Sequence, residues 1–239
     1  MIDSMDLNFD RIDYGDAADF YDKYEHLGDP GRGVYHWGAF RSSQLMSAIS
    51  FGSPCFSIHE NIYAKLSKKY GLNVYQLTRG ASVPDAPCNT ASWTISRGLT
   101  CLKRLRGASL VVAYSDPKYN EIGTIYQASN FIYIGKTDPK GQSNYVIDGE
   151  WMSGWKVRSE YGTRDMDRLR EMGLDVERFP LRPKYRYVYP AAPTSTKKSV
   201  MSELDKISSS YPKREEEGVE PMNVTSLVKN RKEKAATNR

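Results

Sequence analysis

Leu110–Tyr114 reads LVVAY, apolar at every position, and the three residues that follow are Ser115-Asp116-Pro117. A short apolar run closed by turn residues is the pattern of a buried strand. Pro117 disfavours helical backbone at Asp116, so the strand ends in a turn. A buried strand needs neighbours to cover it, and the flanking sequence supplies strands and helices in alternation.

Val34–Phe40 and Gln44–Phe51 flank Arg41-Ser42-Ser43 and suggest a β-hairpin. Glu60–Tyr70 has apolar residues at 62, 63, 66 and 70, a helical spacing that Gly71 stops. Asn73–Thr78 reads as a strand. Asn89 can cap a helix running to about Leu105, with Gly107 ending it. Ile122–Ser129 predicts a short helix, Phe131–Ile134 a strand, Arg164–Met172 a helix, and Tyr145–Ile147 and Lys184–Tyr189 final strands. The order predicts an α/β layout with a mixed sheet.

The net charge of +5 is a cancellation. Residues 1–30 carry nine acids against Arg11 and Lys23, residues 31–190 hold 22 basic and 13 acidic residues, and the tail from 191 has ten basic and seven acidic. The sequence therefore divides into an acidic segment (1–30), an α/β body (31–190) and a polar tail (191–239). The tail is rich in Ser, Thr, Lys and Glu and is expected to be mostly disordered, with room for a short helix around Val200–Ser208. A basic body suits a polyanion, although such asymmetry also arises on ordinary enzymes. No stretch reaches the roughly 18 to 20 apolar residues of a membrane span, and the acidic start is unlike a signal peptide. Cys55, Cys88 and Cys101 fit neither a zinc pattern nor a disulfide framework. A soluble cytoplasmic protein with reduced thiols is expected.

Ligands of open α/β sheets sit outside the carboxyl ends of central strands. LVVAY delivers Tyr114, Ser115 and Asp116 there, and the strand before it delivers Arg79. Asp116 either serves chemistry or bonds the amides of its own turn. Tyr126, ten residues on, either donates a proton to a leaving group or is one more core aromatic. The start of the helix after Asn89 favours an anion, and Ser92 and Ser96 share one of its faces; these polar residues either bind a phosphate or cap the helix. Cys88 has no apparent histidine partner that would make it a nucleophile. His26, His36 and His59 lack metal-ligand spacing. His36, beside Tyr35 and Trp37, is either packed or functional, and an iron site joining two histidines to Asp116 stays open. Lys156, Arg158, Arg182, Lys184 and Arg186 share a stretch with Trp151, Trp155, Tyr185 and Tyr187. Phosphates call for cations, and an unstacked base calls for an aromatic face.

The segments TRGASVPDAPCNTASWTISR, VVAYSDPKYNEIGTIYQASNFIYIGKT and RPKYRYVYP resemble the phage Mom family of DNA adenine modification proteins over roughly residues 31–190. That family is similar to the acyl-CoA N-acyltransferase (GNAT) superfamily. The resemblance implies a GNAT-like, mostly antiparallel central sheet flanked by helices, and conversion of adenine in phage DNA to N6-carbamoylmethyladenine, which shields the genome from restriction. It implies catalytic roles for Asp116 and Tyr126, and binding or catalysis for Arg79 and a serine of the 92–96 helix, so that Arg79, Asn89, Ser92 and Ser96 are the candidates for cofactor binding. Lys156, Arg158, Arg182, Lys184 and Arg186 would meet double-stranded DNA, with His36 and Tyr114 as further candidates. The GNAT pyrophosphate loop is glycine-rich, whereas Arg79-Gly80-Ala81-Ser82-Val83-Pro84-Asp85-Ala86-Pro87 has one glycine and two prolines, which lack N–H donors. The donor stays open between acetyl-CoA, another activated two-carbon unit and a metal-assisted route. Two other functions stay open as well: an ordinary N-acyltransferase for a protein or small amine, and a noncatalytic DNA-binding protein.

Overall fold

The computed structural model describes residues 6–28, 31–54, 62–139 and 142–214. The chain forms two compact units, Met1–Gly135 with Tyr185–Arg239, and Lys136–Lys184 between them.

The first unit is a seven-stranded sheet. Its strands are β1 (Leu7–Arg11), β2 (Gly33–Arg41), β3 (Gln44–Gly52), β4 (Asn73–Ser82), β5 (Ser109–Ser115), β6 (Ile132–Lys136) and, from the far side of the second unit, β10 (Tyr185–Ala191). They lie in the order β1-β2-β3-β4-β5-β10-β6. β1 to β4 pair antiparallel in succession, as do β5 and β10, while β4 and β5 run parallel. The fold is mixed α/β with a mostly antiparallel sheet. β5 contains LVVAY, and Leu110 through Ala113 are fully buried, as their composition requires.

Helices cover both faces. α3 (Thr90–Arg106) lays Ile95, Leu99 and Leu102 against Phe51, Val111 and Ala113. Gly98 lets it come close: a Cβ there would stand 2.0 Å from Ile49 Cδ1. On the other face, α2 (Ile62–Tyr70) and α7 (Thr194–Asp205) bring Leu66, Val200 and Leu204 to Leu110, Val112 and Val188. Each fully buried leucine here contributes about 2–3 kcal/mol through removal from water. α1 (Tyr14–Tyr24), capped by the Asp13 carboxylate on the Asp16 N–H at 2.8 Å, packs Ala17, Phe20 and Tyr21 against Met46 and Ala48.

The expected division at residues 30 and 190 is redrawn at both ends. Residues 7–24 form β1 and α1, because Leu7, Ile12, Ala17, Phe20 and Tyr21 bury while the interleaved aspartates stay at the surface. At the other end, α7 starts six residues before the expected helix and docks through Val200 and Leu204. The chain then runs along β6: Ser209 N–H donates to Tyr133 O at 3.0 Å and Tyr211 OH to Phe131 O at 2.7 Å. The expectation of disorder for 215–239 lies outside the described residues, as do Cys55 and His59. The hairpin, α2 from residue 62, α3, β5 and the short α4 (Thr124–Ala128) stand where the sequence placed them. β4 runs four residues past Thr78, because Arg79 to Ser82 continue the ladder with β3.

The second unit is a three-stranded antiparallel sheet in the order β8-β7-β9, formed by β7 (Ser143–Ile147), β8 (Glu150–Ser153) and β9 (Val176–Pro180). α5 (Gly154–Tyr161) and α6 (Met166–Glu171) supply Val157 and Leu169 to its core of Tyr145, Ile147, Met152 and Val176. Among the described residues no helix is long and apolar enough to cross a membrane.

Candidate active site

β4 and β5 pair over Asn73–Gln76 and Ser109–Val112 and then part. From Leu77 onward β4 stays with β3, and from Ala113 onward β5 stays with β10. A bulge between Ser50 and Phe51, opposite this part of β4, adds the local bend. A cavity of about 300 Å³ lies against β3, β4, α3 and α4. Leu77, Gly80 and Ala81 of β4, Ile49 of β3, Ile95 of α3 and Ile125 of α4 give it an apolar wall. Its polar groups are Glu25 and His26 from the end of α1, Glu121 and Tyr126 from the segment after β5, and Ser47 and Ser82.

Glu25 organises the polar end. Its carboxylate is 7% exposed, and a buried charge must be paired and hydrogen-bonded to stay ionised. Oε2 accepts the N–H groups of Leu27 at 2.7 Å and Gly28 at 3.0 Å and lies 3.8 Å from Arg79 Nε. Oε1 lies 3.2 Å from His26 Nδ1. The same nitrogen is 3.9 Å from Glu121 Oε1, and the imidazole packs on Tyr119 with ring centroids 4.1 Å apart. Arg79 also donates from Nη1 to Thr78 O at 2.7 Å.

Tyr126 faces this group from α4. Its ring packs against Phe131 and Tyr187, and its OH lies 3.5 Å from Tyr114 O. Burial pushes its pKa well above the ordinary tyrosine value, with the charges of Glu121 and Glu25 adding to the rise and Arg79 opposing it. The phenol therefore keeps its proton through the neutral range. Tyr119 is raised in the same direction by burial, then by Asp116, Glu25 and Glu121.

The structure brings Arg79 and Tyr126 together through Glu25. Asp116 begins the turn that carries Tyr119 and Glu121: its carbonyl accepts their N–H groups at 3.0 and 3.4 Å. Asp116 is not among the residues that line the cavity, and its charge acts on Tyr119. Ser92 and Ser96 do share a face of α3, but Ala91 and Ile95 line the cavity, one residue and about 100° away around the helix. Ser92 Oγ bonds back to Asn89 O at 3.1 Å. Asn89 is the N-cap of α3 in left-handed backbone, φ 67°, without a side-chain cap bond.

The remaining candidates lie elsewhere. His36 is buried on β2, its Nδ1 2.7 Å from Ser50 Oγ, which also meets Tyr21 OH at 2.9 Å. Ser50 and the cavity residue Ile49 alternate on β3, so this chain occupies the opposite face. Burial, then Arg11, lowers the His36 pKa against Asp13. Tyr114 packs with the α2–α7 cluster on that opposite face. Arg186, its partner on β10, donates from Nη2 to Ile134 O at 3.0 Å. Lys156 pairs with Glu150 at 2.6 Å; Arg158, Arg182 and Lys184 are exposed in the second unit. Glu25, His26 and Glu121 were not legible as site residues: the first two sit in a run of acids whose sum conceals the single buried carboxylate. Among the described residues no group of three His, Cys, Asp or Glu side chains is arranged to hold a metal.

The profile of the Mom protein family matches residues 6–213. The chain belongs to the Mom protein family. The match takes in β1 and α1, and so covers Glu25 and His26 as well as Arg79, Asp116 and Tyr126. The methylcarbamoylase Mom of Escherichia phage Mu is 28% identical over 118 residues, 48% of this chain and 46% of that protein, so the similarity spans about half of the phage protein. Among solved structures, Arabidopsis thaliana NAA60 in complex with acetyl-CoA is similar at 12% identity and a TM-score of 0.45, covering 77% of this chain and 98% of that one. A spermidine N-acetyltransferase SpeG variant from Vibrio cholerae is similar at 10% identity and a TM-score of 0.43, covering 79% and 95%.

Proposed function

We propose that this Mom-family chain is a transferase that modifies the N6 amine of adenine in DNA, with N6-carbamoylmethyladenine as its product and protection from restriction as the consequence. The observation that carries the reading is the cavity lined by β3, β4, α3 and α4, where a proton-bearing Tyr126 shares the wall with the carboxylates of Glu25 and Glu121. Adenine N6 is engaged in base pairing within a duplex, so the base has to leave the stack to enter.

N6 attacks the activated carbon of a two-carbon donor; the N–C bond forms while the bond to the leaving group breaks. Tyr126 gives its proton to the departing group. The proton lost by N6 passes to a carboxylate on the 116–121 turn, which carries Asp116 at the strand end and Glu121 in the cavity wall. The Glu25–His26 pair holds that end of the site polar, and Glu25 keeps Arg79 in place beside it.

The donor is an activated two-carbon unit. A CoA diphosphate grip does not fit Arg79–Pro87: Arg79 to Ser82 are committed to the ladder with β3, and Pro84 and Pro87 have no N–H. The carboxylates would also suit another amine, which keeps an N-acyltransferase for a protein or small amine as the second reading. A plasmid co-expressed with the chain and challenged with an endonuclease that needs unmodified adenine tests the first. Resistance is expected, and complete cutting beside well-expressed protein overturns it.

A further inference from the structure

Among the described residues the core of the second unit lies on one face of its sheet. Tyr145, Ile147, Met152 and Val176 turn toward α5 and α6 and are buried. Side chains alternate along a strand, so Asn144, Val146, Trp151 and Phe179 take the other face. The register confirms this, setting Val146 opposite Trp151 and Asn144 opposite Phe179. The two rings meet across the middle strand with centroids 5.2 Å apart and planes at 42°. Trp151 is 52% exposed and Phe179 38%, and Trp155, at the start of α5, is 76% exposed. The folding of this unit does not need aromatic rings at the surface, and a cluster of them marks a binding face.

Charge decides what kind of partner fits. From Arg178 through Lys184 the chain carries Arg178, Arg182 and Lys184 and no acid, immediately around Phe179. Arg178 alternates to the other face, opposite Tyr145, where its Nε donates to Ser143 Oγ at 2.8 Å, and Arg182 and Lys184 are at exposed positions. Glu177 shares the aromatic face and Glu150 is occupied by Lys156, so the positive potential is concentrated at the Phe179 end. Rings fixed on a sheet beside cations are the arrangement that stacks unpaired bases while neutralising their phosphates.

We infer that the outer face of β7–β8–β9, Trp151 with Phe179, is a stacking platform for unpaired nucleic-acid bases, with Arg182 and Lys184, which follow Phe179 in the chain, taking the phosphates. It rests on the DNA-modification reading only for the source of the strand: DNA opened to release a base.

The test is binding of the full chain to a fluorescein-labelled single-stranded oligodeoxynucleotide and to its duplex. Wild type should prefer the single strand. Trp151→Ala and Phe179→Ala should each weaken single-strand binding by about tenfold or more, the size of one lost base stack, with an unchanged melting temperature. Trp151→Phe should restore most of the affinity. The salt dependence should stay as in wild type for these variants and shrink by about one ion for Arg182→Ala. Equal binding by wild type and both alanine variants overturns the platform. So does absence of single-strand binding by wild type, or a wild-type oligomer that Trp151→Ala dissolves, which would make the face a self-association surface. Tyr126→Phe should bind as wild type does yet leave adenine unmodified, so failure of the platform and failure of the chemistry are read separately.

Discussion

Glu25 Oε1 lies 3.2 Å from His26 Nδ1, while Oε2 of the same carboxylate gathers two backbone N–H groups and faces Arg79. One buried side chain thus joins the end of α1 to the end of β4. Glu25→Gln keeps the shape but removes the charge and replaces one acceptor oxygen with an amide NH2. Hydrogen bonds to charged groups are worth about 1.5–3 kcal/mol, so the variant should lose that order of stability and at least tenfold in modification. A thermal melt and a modification assay on the same preparation check both.

Tyr126→Phe removes the proton donor and little else, since the contact of its hydroxyl with Tyr114 O is long, at 3.5 Å. Positioned acid catalysis is worth on the order of 10²- to 10⁴-fold. Modification should fall within that range while the melting temperature stays close to wild type.

Tyr21 and Tyr126 both have pKa values raised by burial above the ordinary 10.0. The folded chain therefore holds protons that the unfolded chain releases above pH 10. Stability should be unaffected by these groups below pH 10 and fall as pH rises beyond it. Tyr21→Phe should flatten that alkaline limb in pH-dependent denaturant unfolding, and an unchanged limb would contradict the assignment.

Gly123 has φ 77°, and a Cβ there would stand 2.4 Å from the Tyr187 ring. Left-handed backbone costs a side-chain-bearing residue roughly 1–2 kcal/mol, and overpacking adds about 1–3. Gly123→Ala should lower the melting temperature by several degrees and, because α4 starts there, displace Tyr126 and reduce modification as well.

Glu203 on α7 bonds Lys69 of α2 at 2.6 Å and Lys206 at 2.9 Å, and these partners hold its pKa down at about 2. A depressed carboxylate stabilises above the unfolded value of 4.5 and loses that contribution as pH falls toward 2. Protection factors along α7, with the intrinsic pH dependence of exchange removed, should fall across that window in wild type and show no such step in Glu203→Gln.

How much of this was visible in the sequence depends on where the deciding contacts lie. LVVAY declared β5 because every residue in it is apolar, and Pro117 declared the turn that starts with Asp116. Arg79 and Tyr126 were legible because strand ends and the helix after them are where ligands collect. β1 and α1 were not, because their apolar residues are scattered among aspartates and only the ladder with β2 gives them a face to bury. Ser92 and Ser96 share a face, yet only the packing of Ile95 and Leu99 on the sheet shows that the face is the outer one. Glu25 became a site residue through Arg79, fifty-four positions away, a distance no local pattern spans.

The most direct measurement is the mass of deoxyadenosine from DNA digested to nucleosides after co-expression with wild type and with Tyr126→Phe. Wild type should yield a heavier deoxyadenosine carrying the carbamoylmethyl group, and Tyr126→Phe should yield the unmodified nucleoside. Unmodified deoxyadenosine alone from cells rich in folded wild-type protein would contradict the account.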